Sequence, residues 1–226
     1  MTAAKVKICG IKNRETIALL KQLPVDYIGF VFADSKRKVT PEQAASLIGA
    51  LKSADEARGT YDPPETVGVF VNPGMDELRE LLSSCRLDVV QLHGSESASF
   101  CRDVKDTFGV KLFKVFSVRN EQDDGRLEAS FEPYAGVIDA LMLDTHDPVY
   151  GGGSGKAFRW SVIPKAARWC NEQGIPLIVA GGLHADNVAE LIAEYHPDGV
   201  DVSSGVETNG EKDEEKIKQF VGRVKR

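Results

Sequence analysis

Eight short apolar segments alternate with amphipathic segments along the chain, and this alternation limits the possible folds more than any other feature. The apolar segments predict strands at residues 5–9, 26–32, 67–71, 88–92, 111–116, 140–144, 177–180 and 200–202. Nearly continuous apolar runs of this length are typical of strands that are buried on both faces. Because a helical pattern follows each strand, the units are of the β/α type and the predicted sheet is parallel.

The number of units favours closure of the sheet. Eight β/α units within 226 residues predict the α/β class and a single (β/α)₈ TIM barrel with a parallel eight-stranded core. A doubly wound open sheet is the alternative. Residues 53–64 are polar and contain a Pro-Pro pair, but the strand pattern resumes directly after them. We therefore interpret them as a surface loop and residues 1–226 as one catalytic domain.

Several helix boundaries can be predicted from capping residues. Asn13 and Thr40 precede apolar residues at helical spacing, and Pro41 suits the first helical position. Ser95 is predicted to begin the fourth helix, and the seventh unit is preceded by a helix over residues 160–171. The segment that follows the fifth strand, up to Pro133, has no clear periodicity.

Charge and cysteine usage exclude several classes of protein. The formal net charge of −6 argues against general nucleic-acid binding, and no apolar run is long enough to cross a membrane. The first residues have no signal-peptide core. Four cysteines lie far apart, so we expect a reduced, cytoplasmic protein without disulfides or a zinc site. No histidine–carboxylate cluster has metal-ligand spacing, and we expect no metal.

Small residues follow the last two predicted strands. Gly181 and Gly182 come after the seventh strand, and Ser203, Ser204 and Gly205 come after the eighth. Alone, each turn is a tight connection between a strand and a helix. Two turns at this place, with bare backbone amides, match the phosphate site of a (β/α)₈ barrel.

Residues at the carboxyl ends of the strands are the candidates for chemistry. The strand register collects Cys9, the loop of Ser35, Lys36 and Arg37, Asn72, Gln91, His93, Asp144, Gly181, Gly182, Asp201, Ser203, Ser204 and Gly205. Cys9 is either a small buried apolar residue or a thiolate whose pKa a nearby cation must lower. Asp144 is either a loop cap or ion-pair partner, or a general acid whose pKa its surroundings raise. A thiolate and a carboxylic acid across one cavity would form an acid–base pair.

The remaining candidates each have a structural and a functional interpretation. Arg37 lies in a basic loop that is either solvated or able to bind a planar carboxylate. His93 is either structural or part of the site. The glycine-rich loop 151–155 lacks the spacing of a P-loop, and it is either a flexible connection or a lid over the substrate.

A series of short motifs in a fixed order resembles one family. The motifs are KICG at 7–10, GFVF at 29–32, SKR at 35–37, VGVFVN at 67–72, VQLHG at 90–94, LDT at 143–145, GGSGK at 152–156, AGGL at 180–183 and DVSSGVE at 201–207. Together they resemble the phosphoribosylanthranilate isomerases of tryptophan biosynthesis over nearly the whole chain. Residues 207–213 look most like fungal members of that family.

The resemblance implies an Amadori rearrangement of N-(5′-phosphoribosyl)anthranilate without any cofactor. It implies Asp144 as general acid and Cys9 as general base, with Arg37 holding the anthranilate carboxylate. It further implies that the amides of Gly181, Gly182, Ser203 and Ser204 bind the phosphate, and that His93 and Asp201 support the site. The substrate is the expected small-molecule partner, and contacts with other tryptophan-pathway enzymes or domains are left open.

Other phosphosugar barrels are the alternatives. A histidine-pathway aldose–ketose isomerase would use two aspartates, whereas the first strand here ends in Cys9. An indole-glycerol-phosphate synthase would need a lysine and glutamate set that the strand-end register does not supply. A non-catalytic phosphosugar-binding barrel would keep the glycine and serine turns but would not need Cys9 or Asp144.

Overall fold

The computed structural model describes residues 3–53, 62–118, 126–144 and 157–226, and these form a closed parallel barrel. The strands are β1 (Lys5–Cys9), β2 (Tyr27–Val31), β3 (Glu65–Phe70), β4 (Val89–Leu92), β5 (Lys111–Ser117), β6 (Ala140–Asp144), β7 (Leu177–Ala180) and β8 (Gly199–Val202). They pair in chain order, and β8 pairs with β1 to close the ring. The predicted barrel is confirmed, and the open sheet is excluded.

Helices follow the strands and cover the outside of the barrel. They are α1 (Arg14–Leu20), α2 (Pro41–Lys52), α3 (Met75–Ser84), α4 (Ala98–Phe108), α5 (Arg126–Phe131), α6 (Ile163–Gln173), α7 (Val188–Tyr195) and α8 (Glu214–Val224). Most of the apolar core lies between the strands and these helices. A short hairpin of β9 (Glu207–Thr208) and β10 (Glu211–Lys212) precedes α8. No described helix is both long enough and apolar enough to span a bilayer.

Two of the predicted helix starts are confirmed by their hydrogen bonds. The Asn13 side chain accepts a hydrogen bond from the amide of Thr16 at 2.9 Å. Thr40 and Gln43 form a reciprocal capping box ahead of α2, with Pro41 in its first turn. These side chains satisfy amides that would otherwise lack partners at the helix ends.

Of the two other predicted helices, the fourth starts later than predicted, and the one predicted over residues 160–171 is helical throughout. Ser97, not Ser95, caps α4 by accepting a hydrogen bond from the amide of Phe100 at 3.2 Å. The amide of Ser95 instead donates to the side chain of Asn72 at 2.8 Å, which holds Ser95 outside the helix. The helix predicted from residue 160 begins as a 3₁₀ turn at Ala157–Val162, and α6 starts only at Ile163.

The lower part of the barrel interior is filled with apolar side chains. They are Tyr27, Val67, Val89, Phe113, Val115, Ala140, Met142 and Ile178. The rings of Tyr27 and Phe113 meet edge to face, with centroids 5.4 Å apart. Because this layer closes the barrel from below, a ligand can enter only from the carboxyl ends of the strands.

A buried ion pair crosses the seam at which the barrel closes. Lys7 on β1 is fully buried, and its Nζ lies 3.0 Å from Oδ1 of Asp201 on β8. Burial lowers the pKa of Lys7, but attraction to Asp201 and Cys9 outweighs it, so the pKa is raised overall. The ammonium therefore stays charged within the barrel. Residues 54–61 of the predicted surface loop and the glycine-rich loop 151–155 lie outside the described residues.

Candidate active site

One cavity of about 370 Å³ opens at the carboxyl ends of the strands. Every residue to which the resemblance assigns a place in the site lines it, namely Cys9, Arg37, His93, Asp144, Gly181, Gly182, Asp201, Ser203 and Ser204. Asn72, which only the strand register collected, does not line the cavity. Its side chain accepts hydrogen bonds from Ser95, so it joins the end of β3 to the loop before α4.

Cys9 ends β1 and is buried against β2, with 8% of its surface exposed. Gly29 of β2 lies beside it in the parallel register. A Cβ atom at Gly29 would lie 2.7 Å from Sγ of Cys9, so glycine leaves the space that the sulfur fills. The position of the thiol is therefore determined by two adjacent strands.

The environment of the Cys9 thiol combines opposing effects. Burial raises its pKa most strongly, and the ammonium of Lys7 lowers it by electrostatic attraction. The carboxylate of Asp201 raises the pKa again, and Lys212 lowers it. The net effect is a raised pKa, so the resting group is a thiol. The cations that a working thiolate would need are present, but burial outweighs them in the resting site.

Asp144 and His93 lie in contact across the cavity wall. Asp144 ends β6, and its Oδ2 lies 3.2 Å from Nε2 of His93, which directly follows β4. The amide of His93 donates to the carbonyl of Phe70 at 2.8 Å, and this bond holds the backbone in place. A hydrogen bond at this distance requires one proton between the carboxyl and the imidazole, whichever group carries it.

Arg37 reaches the cavity but is already paired. Its Nε and Nη2 donate to the two carboxylate oxygens of Glu207, each at 2.7 Å. Lys212 donates to the same carboxylate at 2.7 Å. Burial raises the pKa of Glu207, but the hydrogen bonds from Arg37 and Lys212 outweigh it and lower the pKa overall. Glu207 thus occupies one edge of the guanidinium, and the edge formed by the remaining Nη1–H and Nη2–H groups is the one that could hold a substrate carboxylate.

The turns after β7 and β8 lie side by side. Gly181 and Gly182 have φ values of 93° and 63°, in the left-handed region that favours glycine. Asn187 donates from its side chain to the carbonyl of Gly182 at 3.0 Å. A Cβ atom at Gly205 would lie only 1.8 Å from the carbonyl oxygen of Leu183, so the two turns can pack only with glycine there.

The second turn is also tied to the first strand. The hydroxyl of Ser203 donates to the carbonyl of Cys9 at 3.1 Å. Lys212 donates to the backbone carbonyl of Ser203 at 2.9 Å and is almost fully buried. Residues of both turns therefore line one end of the cavity, and the ammonium of Lys212 lies behind the second turn. This is the chemistry that binds a phosphate.

Sequence reasoning missed several residues around the cavity. Lys7 could have been found from the alternation of Lys5, Lys7 and Cys9, which places all three on one face of β1. It does not line the cavity and is paired with Asp201, so it does not supply the lysine of an indole-glycerol-phosphate synthase. The sequence contains no pattern that indicates the pairing of Glu207 with Arg37, because the two residues lie 170 positions apart in the chain.

An apolar wall faces the charged groups. It is formed by Val31, Val69 and Val71, together with Ala33. Half of the surface of Val71 is exposed, although the other large apolar residues in the described part of the chain are buried or half-buried. An exposed apolar side chain at the mouth of a cavity suits contact with an apolar group of a ligand. Within the described ranges, no group of three or more histidines, cysteines and carboxylates could hold a metal ion.

Comparisons with known proteins agree with this geometry. The family model "N-(5′phosphoribosyl)anthranilate (PRA) isomerase" matches residues 6–223. The curated N-(5′-phosphoribosyl)anthranilate isomerase of Brevibacillus brevis is 46% identical over 221 residues, which cover 98% of this chain and 93% of that protein. The crystal structure of the Thermotoga maritima phosphoribosyl anthranilate isomerase is 35% identical and covers 98% of both chains, with a TM-score of 0.77.

A further solved structure contains a ligand. It is a phosphoribosyl anthranilate isomerase in complex with reduced 1-(o-carboxyphenylamino)-1-deoxyribulose 5-phosphate, 32% identical, with a TM-score of 0.73 and 98% coverage of both chains. The curated relatives compared here come from bacteria. They do not support the expected likeness of residues 207–213 to fungal proteins.

Proposed function

The chain belongs to the N-(5′-phosphoribosyl)anthranilate isomerase family and catalyses that isomerisation in tryptophan biosynthesis, and we propose that Cys9 is its general base and Asp144 its general acid. The reaction converts N-(5′-phosphoribosyl)anthranilate to 1-(2-carboxyphenylamino)-1-deoxyribulose 5-phosphate. It needs a proton donor at one place on the sugar and a proton acceptor at another. The two proposed groups line the same cavity, which is the observation that carries the proposal.

Asp144 acts first in the proposed sequence. Its proton goes to the ring oxygen of the ribose, the bond between that oxygen and C1′ breaks, and the nitrogen lone pair forms a Schiff base with C1′. His93 lies against the same carboxyl oxygen and holds the shared proton on the side of the cavity. Its proposed role is to position Asp144 and to stabilise the group after the proton has left.

Cys9 acts on the opened sugar. The thiolate removes the proton from C2′, which gives an enolamine, and the enolamine then tautomerises to the ketone as C1′ takes up a proton. Because the resting group is a thiol, Cys9 must first lose its own proton. The ammonium of Lys7 stabilises the thiolate from below, and the ion pair with Asp201 holds Lys7 in place. Asp201 thereby supports the site.

The phosphate is the proposed anchor of the substrate. The residues Gly181, Gly182, Ser203 and Ser204 line the cavity beside β7 and β8, and their backbone amides are the proposed donors to the phosphate. The phosphate lies far from the carbons that react, so its binding energy orients the sugar without opposing the chemistry. Lys212 adds a positive charge behind the second turn.

The anthranilate ring is proposed to lie along the apolar wall of Val31, Val69 and Val71. Its carboxylate then faces Arg37, which can offer only the guanidinium N–H groups that Glu207 does not use. Arg37 is 27% exposed at its side chain, so this edge of the guanidinium can be reached from the cavity. The proposed contact is therefore a charge-assisted one through the Nη1–H and Nη2–H groups of Arg37.

The proposal extends to the cellular setting of the enzyme. Residues 1–226 form one catalytic domain, and the protein works in the reducing cytoplasm, where its four free cysteines stay reduced. Neither nucleic acid nor a membrane takes part. Other enzymes or domains of the tryptophan pathway are candidate protein partners. The rival phosphosugar isomerases of histidine biosynthesis and a non-catalytic barrel gain no support from this cavity.

The fluorescence of anthranilate tests the function directly. Turnover of phosphoribosylanthranilate produces a sustained change in fluorescence, whereas binding alone produces a change that stops when the sites are full. A sustained change with the wild-type protein is expected. A change that saturates at one equivalent would identify a binding protein and contradict the proposal.

A further inference from the structure

Gln91 has a buried polar group that the proposed mechanism does not use. It lies on β4, is 2% exposed, and lines the same cavity as Cys9 and Asp144. Among the buried side-chain oxygen and nitrogen atoms of the described residues, Oε1 of Gln91 is the one that has no hydrogen-bond partner. Buried amide oxygens nearly always have a partner, because losing water without replacement is unfavourable.

The barrel itself does not require an amide at this place. The register partners of Gln91 are Val69 on β3 and Phe113 on β5, which are both apolar. Val89, two residues earlier on the same face of β4, belongs to the apolar layer below. An apolar side chain of the same length would pack against these neighbours, so the amide is unexplained by packing.

The position of Gln91 relates it to the acid. His93 is two residues further along the same face and contacts Asp144. Gln91 therefore lies one layer below the His93–Asp144 pair. In a ring of eight strands, β4 is opposite β8, and β8 carries the second phosphate turn. A sugar held by its phosphate at β8 extends across the barrel towards β4.

We propose that the amide oxygen of Gln91 accepts a hydrogen bond from the 3′-hydroxyl of the substrate sugar and so fixes the sugar between Cys9 and Asp144. This inference rests on the proposed function. An unpartnered oxygen needs a donor, and neither the phosphate nor the carboxylate of the substrate has one at neutral pH. The 2′-oxygen becomes a carbonyl in the product, and the 4′-oxygen is the ring oxygen of the substrate, so neither donates throughout the reaction. The 3′-hydroxyl is the sugar hydroxyl that does.

The test compares two substrates and two proteins. The values of kcat/KM are measured for phosphoribosylanthranilate and for its 3′-deoxy analogue, with the wild type and with Gln91→Met. Methionine keeps the length of the side chain and removes the acceptor. The wild type is expected to prefer the natural substrate by roughly 10- to 100-fold, and Gln91→Met to lose most of that preference, chiefly by a slower reaction of the natural substrate.

Controls separate this role from a structural one. Gln22→Met makes the same change at an exposed glutamine whose side chain bonds only the carbonyl of Ala18, and it should alter neither value. Gln91→Met should melt at a temperature no lower than the wild type, because it removes an unpartnered buried oxygen. If Gln91→Met fails to fold, the wild type alone decides, since equal rates on the two substrates would overturn the proposal.

Each remaining outcome is also decisive. If Gln91→Met slows both substrates equally, or slows neither, then Gln91 does not contact the 3′-hydroxyl and the inference is wrong. A wild-type protein that does not turn over phosphoribosylanthranilate at all would instead contradict the proposed function. The two failures are therefore distinguishable in a single set of assays.

Discussion

Nε2 of His93 lies 3.2 Å from Oδ2 of Asp144, which joins the end of β4 to the end of β6 across the wall of the cavity. The proposed acid therefore has an imidazole within hydrogen-bond distance rather than being an isolated carboxyl. Its position above Gln91 and across from Cys9 places a proton donor and a proton acceptor on different sides of one cavity.

Replacing the imidazole tests this coupling. His93→Gln is expected to lower kcat by roughly 10-fold or more, because Asp144 loses the group that holds its proton. KM should change little, since the phosphate anchor is untouched. Steady-state kinetics would check this, with His196→Asn, at an exposed histidine that ends α7, as the control. An unchanged kcat would mean that His93 does not assist the acid.

The pH dependence of the reaction should report the thiol. Burial raises the pKa of Cys9 above its ordinary value, and only the thiolate is a base. The value of kcat/KM, which reflects the free enzyme, should therefore rise with pH and keep rising above the ordinary thiol pKa. Ultraviolet thiolate absorbance of the wild type minus that of Cys9→Ser gives the same pKa independently. A base with a pKa below the ordinary thiol value would contradict this account.

The close approach of the two phosphate turns predicts an effect of one added methyl group. Gly205→Ala should raise KM strongly and destabilise the protein by about 1–3 kcal/mol, because its Cβ would collide with the carbonyl of Leu183. Gly222→Ala is the matched control: it lies within α8 with open space around it and should stabilise slightly. Thermal melts and KM values are measured for both. Equal behaviour of the two variants would show that the turns can move apart.

The pairing of Arg37 with Glu207 predicts that the two residues act together. Arg37→Ala should raise KM more than it lowers kcat, because the substrate loses a cation near its carboxylate. Glu207→Gln should also raise KM, since it loosens the guanidinium that it holds through two bonds of 2.7 Å. Lys36→Ala, at the exposed neighbouring lysine, should change neither constant. An unchanged KM for Arg37→Ala would place the carboxylate elsewhere.

The sequence predicted the frame of the molecule well, because strands that are buried on both faces leave a direct pattern. The predicted segments 5–9, 140–144 and 177–180 coincide with β1, β6 and β7. If the fold is a barrel, the predicted strands identify the residues at their carboxyl ends, and Cys9 and Asp144 are two of these residues. The predicted start of α4 was wrong because the amide of Ser95 donates a hydrogen bond to Asn72, a residue 23 positions earlier in the chain.

Other features of the site depend on opposing electrostatic effects and on contacts in the folded barrel, and no sequence pattern shows these. The pKa of Cys9 results from burial acting against Lys7 and Lys212, and the sequence does not give the size of either effect. The strand register collected Gln91, but only the folded barrel shows that its oxygen lacks a partner among the described residues. The pairing of Arg37 with Glu207 likewise depends on contacts between distant segments.

The most direct test of the account measures kcat for Cys9→Ser and for Asp144→Asn, with turnover monitored by anthranilate fluorescence. Cys85→Ser, at a buried cysteine outside the cavity, and Asp186→Asn, at an exposed aspartate, are the matched controls. Each site variant should lose roughly 10²- to 10⁴-fold in kcat while KM stays within a few-fold, and both controls should remain active. A near-normal kcat in either site variant would contradict the proposed acid–base pair.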